Sequence, residues 1–205
     1  MVMNMKRRMN RNVMIIGAGG IGSFLTQFLE RLGYRITIFD DDLVESKNLA
    51  YQNYSTVDLT EKKVECLADR NYLTGSTSRI IDKPYLVLVE EQLQGYDLVI
   101  CCADNLVVRR LLYKQGFGSD AKIKWLDLRA QGRQSALISY LIDPNLMTSL
   151  LNGDDKSYSC QSVKWDGTNA GVDCMNIAIA GIATQWIQKW FNDNTDVKDS
   201  VVLNI

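Results

Sequence analysis

The sequence predicts an α/β fold, a mostly parallel sheet with helices on both faces, and three observations carry that expectation. A wholly apolar run, Val13-Met14-Ile15-Ile16, ends in the loop Gly17-Ala18-Gly19-Gly20-Ile21-Gly22, as a strand buried on both sides should. Phe24, Leu25, Phe28, Leu29 and Leu32 then recur at helical spacing until Gly33, which is placed to end that helix. A second strand, Arg35–Phe39, closes at Asp40-Asp41-Asp42. Strand, glycine turn, helix, strand and acidic residue make the βαβ unit of a Rossmann-like nucleotide-binding fold.

Further along, 42–55 reads as polar loop, and Thr60 is placed to cap a helix running to about residue 72 with Val64, Leu67 and Ala68 inward. Residues 85–89 and 98–102 read as strands, 106–115 as a helix and 123–128 as another strand. A strand over 136–142 is expected to extend the second half of the sheet antiparallel. A polar loop over 152–171 precedes a long apolar helix over 173–191. No repeat or linker interrupts the chain, so 1–205 is expected to be one domain, with 1–12 a flexible arm and 192–205 a tail.

Composition excludes several functions. Apolar residues make up 46% and charged residues 23%, a globular balance rather than a disordered one. A net charge of -1 makes nucleic acid an unlikely partner, and no run approaches the ~20 apolar residues of a membrane span. Cys66, Cys101, Cys102, Cys160 and Cys174 are odd in number and form no CxxC pair, so reduced thiols in the cytoplasm are expected. Histidine is absent, which removes Ser-His-Asp and Cys-His catalysis.

The glycine loop has two tasks. It lets the backbone turn tightly and approach a phosphate, and it aims the N-terminal end of the following helix at that anion. Gly17, Gly19, Gly20 and Gly22 are therefore candidate nucleotide-binding residues, and Asp40, 18 residues beyond Gly22, stands where a ribose-binding acid belongs. This unit by itself does not choose between NAD and ATP.

Beyond it come Asp40 through Gln52, Lys63 on a helix, and Asp97-Leu98-Val99-Ile100-Cys101-Cys102-Ala103-Asp104-Asn105. This series resembles the ThiF/MoeB family, the ubiquitin-activating adenylating superfamily, over about residues 12–190. That family carries a GxGGxG loop, an aspartate after the second strand, an SNLxRQ element, a lysine at a helix start and a strand ending in Asp-Asn. The resemblance implies that Asp40 holds the ribose and that Asn48 and Gln52 contact phosphate or line the cleft. It implies that Lys63 neutralises the triphosphate and that Asp104 binds Mg²⁺ with Asn105 beside it. It implies ATP-dependent adenylation of the C-terminal carboxylate of a small ubiquitin-like or sulfur-carrier protein, by a homodimer. A carboxylate nucleophile is already ionised, which suits a chain without histidine.

The pattern departs from the family at three places. Tyr51 stands where the family has the arginine of NLxRQ, and tyrosine cannot supply that charge. Arg7, Arg8 or Arg11 of a neighbouring subunit, or Arg129 or Arg133, could restore it. The two CxxC zinc pairs are missing, so no structural zinc is expected. A thioester-forming cysteine, if the chain uses one, is Cys160 in its polar loop, expected to be more exposed than Cys174. Asp41 and Asp42 read as turn residues. Two other readings stand beside adenylation: a catalytically weakened nucleotide-binding interaction module, suggested by Tyr51, and an NAD-dependent oxidoreductase.

Overall fold

The computed structural model describes residues 11–73, 79–146, 151, 172–193 and 196–205. Its strands are β1 (Asn12–Ile16), β2 (Arg35–Phe39), β3 (Arg79–Ile81), β4 (Leu98–Cys101), β5 (Trp125–Gln131), β6 (Gln134–Ser139) and β7 (Ser200–Asn204). The helices are α1 (Gly22–Arg31), α2 (Lys63–Leu73), α3 (Leu106–Tyr113) and α4 (Met175–Asp193).

The seven strands form one sheet in the order β3-β2-β1-β4-β5-β6-β7. β3 through β5 run parallel, and β6 and β7 are added antiparallel. The chain moves outward from β1 through α1 to β2, then crosses back to β4 and outward through α3 to β5. Right-handed crossovers in opposite directions put α1 and α2 on one face and α3 on the other. α4 packs on α1, β5 and β6 and so covers the α1 face. β1 and β4 stay paired to their carboxyl ends, at Ile16 and Cys101, yet the connections that follow them leave in opposite senses and so diverge above the sheet. Such a crevice is where open α/β sheets bind ligands.

Burial explains the apolar runs. Val13 through Ile16 and Leu98 through Cys101 are each fully buried because both faces of the sheet are covered. Gly17, at φ +102°, turns the chain out of β1, and a Cβ there would lie 2.7 Å from the Ala103 nitrogen. A Cβ on Gly22 would lie 1.8 Å from the Gly17 carbonyl oxygen. These two glycines let α1 start directly against the ends of β1 and β4. Gly33, at φ +79°, ends α1 as expected.

Several expectations are corrected. Residues 85–89 are not a strand: Tyr85–Val87 is a single 3-10 turn after Pro84, and the third strand is Arg79–Ile81. Thr60 does not cap α2, for it lies in a turn at φ +69° and the helix starts at Lys63. The tail contributes β7, which pairs with β6 from Ser200 to Asn204. At the other end, Asn12 begins β1, and Arg11 is tied to Asp97 by a 2.9 Å ion pair, so neither belongs to a flexible arm. Residues 1–10, with Arg7 and Arg8, and the 152–171 loop, with Cys160, lie outside the described residues.

Candidate active site

A cavity of about 580 Å³ opens at the carboxyl ends of the strands. One end is walled by Gly17, Gly19, Gly20, Asp40 and Tyr85, and the other reaches Gln131, Gln134, Ser135 and Val202. Among the described residues, Gly19 has nothing within 4 Å of where a side chain would begin, so its backbone is bare of them toward the cavity. The first turn of α1 stands beside it, with the Ser23 nitrogen already donating to the Gly19 carbonyl at 3.0 Å. A helix start of this kind is a favourable place for phosphate.

Asp40 is buried and accepts three hydrogen bonds, from the Ala18 nitrogen (2.6 Å), the Asp42 nitrogen (2.9 Å) and the Tyr85 hydroxyl (2.8 Å). Burial raises its pKa, opposed by the Lys63 charge and the Ala18 N–H. Lys63 is itself buried at the start of α2, and its Nζ meets Asp42 at 2.7 Å on the cavity wall. Asp42 is therefore more than a turn residue: it fixes the lysine. Gln52 also lines the cavity, and its Oε1 is buried without a hydrogen-bond partner among the described residues.

Two predicted contacts fall elsewhere. Asn48 is buried and does not line the cavity; its Oδ1 accepts from the Glu45 nitrogen at 2.9 Å and closes the 3-10 turn Ser46–Ala50. Asn105 is the N-cap of α3, with its Oδ1 accepting from the Val107 and Val108 nitrogens at 2.8 and 3.4 Å. This cap leaves Asp104, one residue earlier, on the cavity wall, where it meets Arg109 at 3.4 Å.

Two cations on the far wall share a carboxylate that sequence reasoning missed. Asp127, in β5, is fully buried and accepts from Arg109 Nε (3.1 Å), Arg129 (2.7 Å) and the Tyr113 hydroxyl (2.5 Å). Burial alone would raise its pKa, but the two guanidiniums and the tyrosine outweigh that and hold it below the usual carboxylate range. Both arginines line the cavity. Arg133 is exposed and does not. The signal for Arg109 was an arginine on the otherwise apolar inward face of α3, beside Val108, Leu112 and Tyr113. Tyr51 is buried at the cavity wall, and Asn176 of α4 binds its carbonyl at 2.7 Å and that of Gly20 at 3.0 Å. One buried amide thus joins the two loops.

Among the described cysteines, Cys102 lines the cavity rather than lying within a strand, and Cys174 is exposed. The one cluster of three acidic groups among the described residues is Asp40, Asp41 and Asp42. No helix among the described residues is long and apolar enough to cross a membrane.

A Rossmann-like sheet with a glycine-lined crevice defines a nucleotide-binding class. The chain belongs to the ThiF family, whose model matches residues 3–203. It is 33% identical over 107 residues to the molybdopterin-synthase adenylyltransferase of Escherichia coli, covering 49% of this chain and 42% of that protein. It is 31% identical over 109 residues to the adenylyltransferase and sulfurtransferase MOCS3 of Danio rerio, covering 50% of this chain and 24% of that protein. The chain thus spans less than half the length of either relative. Its fold is also that of E. coli MccB, solved with succinimide, at a TM-score of 0.73 and 17% identity, covering all of this chain and 63% of that one. MccB has also been solved with ATP, and with AMPCPP and MccA.

Proposed function

We propose that this chain adenylates the C-terminal carboxylate of a small ubiquitin-like or sulfur-carrier protein, using ATP. The observation that carries this reading is one crevice that joins the bare glycine loop and Asp40 to Lys63, Asp104, Arg109 and Arg129. The adenylyltransferase names of the relatives support it. The carboxylate attacks the α-phosphorus and the bond to pyrophosphate breaks, so no general base is needed. What the reaction needs is fixed positive charge along the phosphates, in a site whose donors are already in place. Lys63 supplies it near the glycine loop, and Arg109 with Arg129 supplies it opposite, taking over the charge lost at Tyr51.

The residues also fit Mg²⁺. Asp104 and the orphaned Gln52 oxygen are hard donors in one cavity, and Mg²⁺ beside a nucleotide commonly takes one or two protein carboxylates with phosphate and water. Bound there, the ion would neutralise developing charge on the phosphates. The same proposal includes a zinc-free homodimer in the cytoplasm, and acyl transfer to Cys160 where a thioester forms. The alternative of a weakened nucleotide-binding module is favoured by Tyr51 alone, which places an uncharged ring on the cavity wall.

Incubation with ATP, magnesium and a candidate carrier tests the reading by mass spectrometry. An adenylate on the carrier terminus, with pyrophosphate released, is expected. Lys63→Ala is expected to slow pyrophosphate release by about 10²-fold or more. ATP binding with no adduct on any carrier would favour the weakened module.

A further inference from the structure

We infer that Tyr85 is a sugar-specificity residue, whose hydroxyl competes with the nucleoside for Asp40. The inference rests on the reading of Asp40 as the ribose-binding acid. An ionised carboxylate offers about four acceptor positions, two on each oxygen. Asp40 Oδ2 uses both of its own, for the Ala18 nitrogen and the Tyr85 hydroxyl. Oδ1 uses one, for the Asp42 nitrogen. One position therefore remains, whereas a ribose presents two adjacent hydroxyls.

The tyrosine is held in this role from both sides. Pro84 sets the start of the 3-10 turn, and the Tyr85 ring stacks on Phe39 at 6.1 Å between centroids, so its hydroxyl is delivered into the cavity beside the carboxylate. The two backbone donors are fixed by the glycine loop and by the turn after β2. Tyr85 is thus the donor that a side-chain change can remove. With it in place, Asp40 reads a single hydroxyl of the sugar. Without it, Asp40 accepts both.

The test compares dissociation constants for ATP, 2′-deoxy-ATP and 3′-deoxy-ATP, with magnesium, on the wild-type chain and on Tyr85→Phe. The phenylalanine keeps the ring against Phe39. In the wild type, one of the two deoxy analogues is expected to bind within about twofold of ATP, because its missing hydroxyl is not read. In Tyr85→Phe both analogues are expected to bind about tenfold more weakly than ATP, the size of one hydrogen bond to a charged group. Tyr85→Leu, which removes the same hydroxyl, is expected to give the same pattern. A wild type that already discriminates against both analogues, or ratios unchanged in both variants, would overturn the inference and leave the ATP reading intact. Failure of all three nucleotides to bind the folded wild type would overturn both.

Discussion

Asp127 is the residue on which the far wall of the crevice depends. It holds two arginines that face the cavity from different elements, α3 and β5. Asp127→Asn keeps the volume but removes the anion that the buried Arg109 and the half-buried Arg129 share, and a loss of about 3–5 kcal/mol is expected in urea unfolding. The pH dependence has a definite sign. The folded-state pKa of Asp127 lies below its unfolded value of about 4, so its contribution is full above that pH and is lost as pH falls through the folded value. Asp40 acts oppositely: its raised pKa contributes stability below the unfolded value, lost as pH rises through the folded one. Melting profiles on the acid side should therefore be flatter in Asp127→Asn than in the wild type.

Residue positions were partly legible. Lys63, Gln52, Asp104, Gly17, Gly19 and Gly20 fall on the crevice wall because their motifs fix both residue type and place in the chain, whereas Gly22 lies in the first turn of α1 off that wall. The places of Asn48 and Asn105 off the crevice wall were not legible, because an asparagine that caps a turn and one that meets a ligand look alike in sequence. Asp127 and Arg109 were missed because their partners lie 18 residues apart and meet only through the β4–β5 pairing and the α3 crossover.

At the scale of elements, the tightest constraint is the β1–α1 junction. Gly22→Ala would drive a methyl group into the Gly17 carbonyl, and neither backbone can yield without moving α1 off β1 or β4. A loss of about 3 kcal/mol or more is expected in chemical unfolding, with nucleotide binding lost as well. Gly19→Ala, with open space around it, should leave stability nearly unchanged while weakening ATP binding. The same periodicity that made β1, β2 and α1 readable failed at residues 85–89. There Pro84 and the Tyr85–Asp40 bond hold an apolar run in a 3-10 turn against Phe39. β7 was missed for a different reason: its residues are half-exposed, and only pairing with β6 identifies them as a strand.

For the molecule as a whole, the fold class was readable because the buried parallel strands demand continuous apolar runs, and the crossovers then fix where the crevice opens. The chemistry was less readable from fold alone, since a Rossmann-like sheet serves ATP and NAD equally. What separates them is the charge around the crevice: Lys63, Arg109 and Arg129 with Asp104 suit a triphosphate with its metal. Calorimetric titration of the chain with ATP and with NAD, each with and without magnesium, tests this most directly. Binding of ATP that magnesium strengthens, and that Asp104→Ala weakens by about tenfold, is the predicted result. Binding of NAD in preference to ATP, indifferent to magnesium and to Asp104, would contradict the account.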